Sequence, residues 1–587
     1  MDRKNITRSL TSTVAGLALA GLALPALAQT LPYGSSGMGR GGGSAPRGGG
    51  SDQSAEEGDG SGYGTRPAAA RRGVSVRPYI EAAQIVSAEL APGKDVGSWS
   101  SVAAGVDVGL SGRNTQGSLS ARYERRFGWG KAASGDAISG LARASVAIVP
   151  QAVAIEGGAL ATRTTVDGRS AGVPGEFGRK DTTNLYSAYI GPSVQTMAGD
   201  VALTGNYRIG YTEVGTSDTL RSTAAPANLD TFGHSVSHVA NVRAAVRPGD
   251  VLPVGLAAGA GYLREDVSNL DQQVNDFHAR GDVTVPVSSS VALVGGVGYE
   301  DIKISSRDVL RDAAGQPVRG ADGRLVTNTA APRQIAYQTN GLIWDAGITW
   351  RPSPRTALEA HVGRRYGSTT YYGSFGWRIS SRSSFSLAVF DSLSGLGGRA
   401  TASLVDLPTE FEALRNPTTG DLNGCVNPTG NGGTVPTGSN CLVGNFGSLR
   451  SAVFRSRGVQ ANYATQIGRL GAGLSGGYER RRYIAGVGTI LGSVNGVVDE
   501  NAWLSAWLTG RLDQRSTFST FVYGNRFRNG GLAGGKGTAV GANAILSHDF
   551  GYGFSGNASV GIQDLQRDAL EDQIQANALL GLRYSFF

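Results

Sequence analysis

The chain has 587 residues, 89 of them glycine, with 17% charged residues and a formal net charge of +8. That length allows several soluble domains or one very large barrel, and so little charge is unusual for soluble domains of this size. Beyond the N-terminus no run approaches the ~18 uninterrupted apolar residues of a membrane helix. No dense Lys/Arg cluster with interleaved aromatics is present, so nucleic-acid binding is not expected.

Arg3, Lys4 and Arg8 form a positive n-region, Val14 to Leu24 a short apolar run, and Ala26-Leu27-Ala28 an A-x-A site. This predicts an export signal over 1–28, with the mature chain starting at Gln29. Residues 29–72 are rich in Gly, Ser and Ala and hold too few apolar side chains to offset the entropy of ordering. They are expected to form a disordered periplasmic tail.

From residue 73 to 587 the pattern changes to half-apolar segments punctuated by Gly, Pro, Asn, Asp and Ser. Val102, Ala104, Val106, Val108 and Leu110 share one face of a strand, opposite Ser101, Gly105, Asp107 and Gly109. Leu203, Tyr207, Ile209 and Tyr211 likewise oppose Thr204, Asn206, Arg208 and Thr212. The period is two, which marks strands; helical spacing would put Asp107 or Arg208 among the apolar groups. About 22 strands are expected, within a range of roughly 18–24. Their starts are read near residues 74, 100, 116, 137, 152, 183, 200, 235, 253, 273, 290, 338, 355, 369, 384, 449, 469, 500, 516, 536, 553 and 573.

Connections alternate short and long. Ser111–Asn114, Met197–Asp200, Arg247–Asp250 and Asp513–Ser516 are tight, whereas 166–181, 215–232, 306–336, 395–447 and 485–498 are long. Short turns on one side and long loops on the other are the habit of bacterial outer-membrane barrels, and a soluble sandwich has no reason for it. The fold class predicted is therefore all-β: a transmembrane, antiparallel, up-and-down barrel in the outer membrane of a Gram-negative bacterium, with its N-terminal tail in the periplasm.

Several rising strands end alike. Tyr123-Glu124-Arg125-Arg126-Phe127 is echoed by Tyr478-Glu479-Arg480-Arg481, Gly363-Arg364-Arg365-Tyr366 and Asn525-Arg526-Phe527. With the tyrosines toward lipid, the candidate lumen-lining residues are Arg122, Glu124, Arg126, Arg208, Glu359, His361, Arg365, Glu479, Arg481 and Arg526. Such residues serve either as structural ion pairs along a wet bore or as a selective constriction. Arg125 and Arg480 would then sit at the outer rim, near lipid phosphates.

Cys425 and Cys441, the only cysteines, lie in the longest loop, 396–447. In an exported chain they are expected to pair as one disulfide, worth ~3 kcal/mol for a loop of that size. The loop could fold over the pore or into it. Gly473-Leu474-Ser475-Gly476-Gly477 matches G-x-S-x-G, but within a strand rather than at a strand-to-helix elbow, so chance explains it. His234 and His238 are about 13 Å apart along a strand, too far to share a metal. No cofactor, metal site or catalytic set is expected, and a barrel hydrolase ranks last among the readings.

The final segment, Gln573 to Phe587, puts Ile574, Ala576, Ala578, Leu580, Leu582, Tyr584 and Phe586 on one face. It is similar to the C-terminal assembly signal of outer-membrane barrels, carried here by Leu582, Tyr584, Phe586 and Phe587. That likeness implies the barrel assembly machinery as a partner, besides outer-membrane lipid and lipopolysaccharide.

The run Trp350–Ala360, then Gly363-Arg364-Arg365-Tyr366, Tyr372-Gly373-Ser374 and Arg378–Ser384, resembles the beta-barrel porin 2 family and the outer-membrane proteins that accompany exopolysaccharide systems. The resemblance implies a passive channel (porin) or the outer-membrane component of a polysaccharide export pathway, with export components as partners. Known barrels of 22 strands are often active transporters filled by an N-terminal plug domain. The tail here is too short for such a plug, which argues against an energised transporter. A structural or adhesive surface barrel with a closed bore is the alternative expectation.

Overall fold

The computed structural model describes residues 73–130, 132, 134–165, 182–215, 232–415, 420, 422–428, 450–531, 535–568 and 571–586. The expected cleavage site at Ala26, Ala28 and Gln29, the 29–72 tail, Cys441 and Phe587 lie outside these residues.

The chain runs through β1 (Gly73–Ala91), β2 (Val96–Ser111), β3 (Thr115–Trp129), β4 (Gly135–Val149), β5 (Val153–Thr165), β6 (Thr182–Ala198), β7 (Val201–Val214) and β8 (His234–Val246). It continues with β9 (Gly255–Val267), β10 (Gln272–Pro286), β11 (Val291–Ser306), β12 (Gln334–Ser353), β13 (Thr356–Arg365), β14 (Ser368–Trp377) and β15 (Ser383–Ser394). A helix α1 (Leu396–Asp406) and a hairpin of β16 (Phe411–Arg415) and β17 (Leu422–Pro428) interrupt the series. It resumes with β18 (Val453–Ile467), β19 (Leu470–Ile484), β20 (Val498–Arg511), β21 (Ser516–Asn529), β22 (Gly535–Gly551), β23 (Phe554–Arg567) and β24 (Gln573–Ser585).

Twenty-two of these strands form one antiparallel sheet, and β16–β17 stands apart. Each wall strand pairs with its sequence neighbours, β15 pairs with β18 across the insertion, and β24 pairs with β1, from Ser585 opposite Tyr79 to Ala576 opposite Ala88. That last ladder closes the sheet and leaves no edge, as a strand-built membrane span requires. The expected starts all fall within four residues of the observed ones; the largest offsets are at β2, β12 and β18. Tight turns such as 112–114, 199–200 and 468–469 share one rim with the free ends of β1 and β24, and the long connections share the other.

Alternation sorts the side chains. On β7, Leu203, Tyr207, Ile209 and Tyr211 are exposed on the outer surface while Asn206, Arg208 and Thr212 are buried on the inner one. On β24, Leu580 is 70% and Leu582 49% exposed, a lipid-facing arrangement that no soluble sheet would carry around its whole circumference. Inside, β20 turns Trp503 and Trp507 over Gly477 and Gly473 of β19; a Cβ at either glycine would strike the indole. The G-x-S-x-G run is thus a bed for two tryptophans in mid-strand.

Candidate functional site: the bore and its inward-folded segment

A 22-strand barrel leaves a lumen wider than its own wall side chains can fill. Here the β15–β18 connection enters that lumen. Leu396, Leu404, Val405 and Leu407, with Phe411, Leu422 and Val426 of the hairpin, form one buried cluster with Leu141, Leu160, Leu185, Tyr189, Val214 and Val267 of the inner wall. Those wall positions are apolar where alternation would place polar groups facing water. Their apolar character is explained by the segment that covers them.

Polar groups fix the segment in place. Gly395 and Gly398 at the start of α1 donate backbone N–H groups to the two oxygens of Glu265, at 2.7 and 2.9 Å. A wall carboxylate thereby satisfies orphan donors that a helix start leaves open, at the end where the dipole favours negative charge. Gly397 leaves room there, since a Cβ would run into Ser235. Arg399 on α1 reaches Glu479 of β19 at 3.6 Å and lies over the Phe390 ring. Farther along, Phe411 N donates to Ser118 Oγ at 2.9 Å, and Arg415 donates to Ser139 Oγ and Ser120 Oγ at 2.5 and 3.0 Å. Asp406 ends α1 with its Oδ1 buried and, among the described residues, without a hydrogen bond.

Around this segment the inner wall is laced with ion pairs. Arg122 joins Glu81 at 2.7 Å and Glu124 at 3.0 Å, and Arg126 joins Glu124 at 2.5 Å. Arg365 joins Asp276 at 3.0 Å and Glu300 at 3.6 Å. Glu359 and Asp345 flank His361 at 3.0 and 3.6 Å, and the imidazole stacks on Tyr372 at 4.7 Å. Arg280 ties Asp345 at 2.7 Å to Asp282. Glu479 holds Arg481 at 2.9 Å, and Arg208 approaches Glu156 at 4.0 Å. Buried cations and carboxylates are tolerated inside a protein when they are paired in this way.

Nine of the ten sequence candidates therefore face inward: Arg122, Glu124, Arg126, Arg208, Glu359, His361, Arg365, Glu479 and Arg481. Arg526 is the exception and is corrected: on β21 it is exposed on the outer surface, while Phe527 beside it points in and packs with Ala539 and Leu565. Reading Arg526-Phe527 as an echo of Arg126-Phe127 puts the strand out of phase by one residue, which reverses both faces. Cys425 lies in β17; its expected partner Cys441 is outside the described residues. Sequence reading passed over Glu265, Asp276, Arg280, Asp345, Arg399 and Arg415. The pattern that would have found the β10 residues is the i, i+2 charge pair on one strand face, as in Arg280 and Asp282. Among the described residues no group of three His, Cys, Asp or Glu side chains could hold a metal ion.

No family profile matches the chain, and no curated relative does. Among solved structures it is similar to the FrpB iron transporter from Neisseria meningitidis (F5-1 variant), at 11% identity over 87% of this chain and 82% of that one, with a TM-score of 0.42. It is also similar to the ferric-catecholate import receptor Fiu from E. coli K12, at 11% identity over 86% and 81%, TM-score 0.40. A third is the ferric yersiniabactin uptake receptor FyuA from Yersinia pestis, at 11% over 87% and 80%, TM-score 0.38. At such identities the likeness extends to the barrel alone.

The expected passive channel or polysaccharide-export component is corrected by the interior of the barrel. The bore is occupied: α1 and the β16–β17 hairpin stand inside it, where either role needs a continuous water column. Polysaccharide export components are likewise withdrawn as partners. The chain is an outer-membrane barrel, and outer-membrane lipid with its lipopolysaccharide is its surroundings.

Proposed function

We propose that this chain is a gated transport barrel of the outer membrane, which passes a polar solute only when the segment Leu396–Pro428 is displaced from the bore. The observation that carries this reading is the way the segment is held. It is seated by an apolar cluster on one side and by reversible polar ties on the other, namely Glu265 to the α1 N-terminus, Arg399 to Glu479, and Arg415 to the wall serines. A piece that served only to fill the barrel would gain from being dry throughout, whereas paired charges at the contact regain water when the segment leaves, which lowers the cost of displacing it. The ion-paired wall beyond it suits a solute rich in hydroxyl or charged groups, because such a wall offers donors and acceptors in every direction.

Planar-bilayer conductance of the purified chain tests this. The intact protein is expected to be closed for most of the record, and deletion of Leu396–Pro428 should give large, long-lived steps. If the deleted form folds, shown by heat-shifted mobility on a gel, and still conducts nothing, the gate is refuted and a closed structural barrel is favoured.

A further inference from the structure

The outer surface of β18 to β22 carries a band of cations at the rim of the long loops. Register sets Arg457 opposite Arg480, Arg480 opposite Glu500, Glu500 opposite Arg528, and Arg528 opposite Lys536. One step nearer the rim, Arg455 stands opposite Arg482. One step below, Tyr478 and Arg526 flank Ala502. Farther down the same face Leu474, Leu504, Val522 and Val540 are exposed, as lipid-facing residues are. The tyrosine between them sets the height: aromatic side chains mark the membrane–water boundary, so the cations lie at the level of outer-leaflet headgroups.

These charges are not balanced by the protein. Asp391 takes up Arg455 at 2.6 Å and Arg457 at 3.1 Å. Glu500 alone is left between Arg480 and Arg528, at 3.8 and 3.7 Å, and both arginine side chains are more than half exposed. Among the described residues Arg482 and Arg526 have no acidic partner, while Lys536 lies across from Asp568, whose backbone N–H donates to the Lys536 carbonyl at 2.9 Å. Like charges directly opposite on neighbouring strands repel, and this band holds three such pairs: Arg457 with Arg480, Arg455 with Arg482, and Arg528 with Lys536. Other rim arginines are matched one to one, Arg125 with Asp136 and Arg264 with Asp266, each at 2.8 Å.

A sheet face that gathers repelling cations lowers its energy by holding an anion, and guanidinium forks match phosphate oxygens in pairs. We infer that this band binds the phosphorylated sugar headgroup of an outer-leaflet glycolipid, with its acyl chains lying on Leu474, Leu504, Val522 and Val540. The apolar strip directly beneath the cations is what selects a lipid over a free phosphate ion. This site stands on the outer surface and does not depend on the gate inside the bore.

The test uses the full chain in detergent, stripped of lipid and titrated with diphosphorylated lipid A, with bound lipid counted by native mass spectrometry. The wild type should retain one lipid through conditions that remove phosphatidylethanolamine. The R480Q/R528Q/K536Q variant should lose retention about tenfold or more, the charge-preserving R480K/R528K variant should keep it within about threefold, and R125Q/R264Q should match the wild type. Lys536→Gln and Arg482→Gln singly, at exposed positions, read the same loss if the triple variant does not fold. The proposal is overturned if the neutral variants retain lipid A as the wild type does, if dephosphorylated lipid A competes equally, or if millimolar inorganic phosphate displaces the lipid.

Discussion

Glu265 shows how much can rest on one side chain. Its two oxygens accept from the backbone N–H groups of Gly395 and Gly398 at the α1 start. Removing a helix cap costs about 1–2 kcal/mol, and ~1.4 kcal/mol is a factor of ten in an equilibrium. Glu265→Ala should therefore raise the open probability in single-channel records about tenfold without changing the size of the open step. Asp406 acts at the other end of the helix. Burial pushes its carboxyl above the ordinary range, against the pull of Arg399, Arg143 and Arg208. A carboxyl raised in this way favours the seated segment with its proton on. That contribution is complete below the unfolded value of roughly 4 and is lost as pH rises through the higher, seated value. Open probability should thus increase as pH rises from about 4 through that higher value and level off above it, and Asp406→Asn, which stays neutral, should flatten the profile. An unchanged slope in the Asn variant would assign the pH response elsewhere.

Elements carry the next set of consequences. The inner wall of β4 to β7 departs from strict polar-inside alternation at Leu141, Leu160, Leu185 and Val214, and each exception lies under the inserted segment. Leu404 of α1 is fully buried against them. Leu404→Ala leaves a cavity and should weaken the seating by about 2–5 kcal/mol, which the same conductance assay reads as a barrel open for most of the record. Within the wall itself, Gly477 underlies Trp503. Gly477→Val should cost about 1–3 kcal/mol through overpacking and lower the temperature at which the barrel loses its heat-shifted mobility. These elements differ in how plainly the sequence announces them. The strands and their order were readable from period two alone, because a surface that meets lipid on one side and water on the other must alternate. The destination of residues 396–428 was not, because leucines and valines on a connecting loop look the same whether they lie over the mouth or inside it.

At the scale of the whole molecule, closure decides everything else. The β1–β24 ladder runs from Tyr79 to Ala91, and Leu582 and Tyr584 lie within it. Without β24 both β1 and β23 become open edges in hydrocarbon, where unpaired backbone groups are too costly to persist. A chain ending at Asp572 should yield no heat-shifted band and no membrane-inserted protein. If such a barrel still assembled, the role given to the last strand would be wrong. The outer mouth has its own closure. Leu270, Val309, Leu325, Ala485 and Leu491 from separate loops share a buried cluster, and Arg324 donates to the carbonyls of Val214 and Phe232. These ties brace the loops over part of the rim, separately from the contacts that seat the inserted segment.

The sequence by itself determined that this chain is a closed membrane barrel of about 22 strands, which faces of β2, β7 and β24 meet lipid, and nine of the inward charged positions. It could do so because those features follow from local alternation and loop length, and both are written residue by residue. Only the tertiary structure decided that Arg526 faces outward, that Glu265 caps a helix 130 positions later in the chain, and that the bore is occupied. Each of these depends on the register of one strand against another or on where a long loop comes to rest. The energies that settle such questions belong to contacts between residues far apart in sequence.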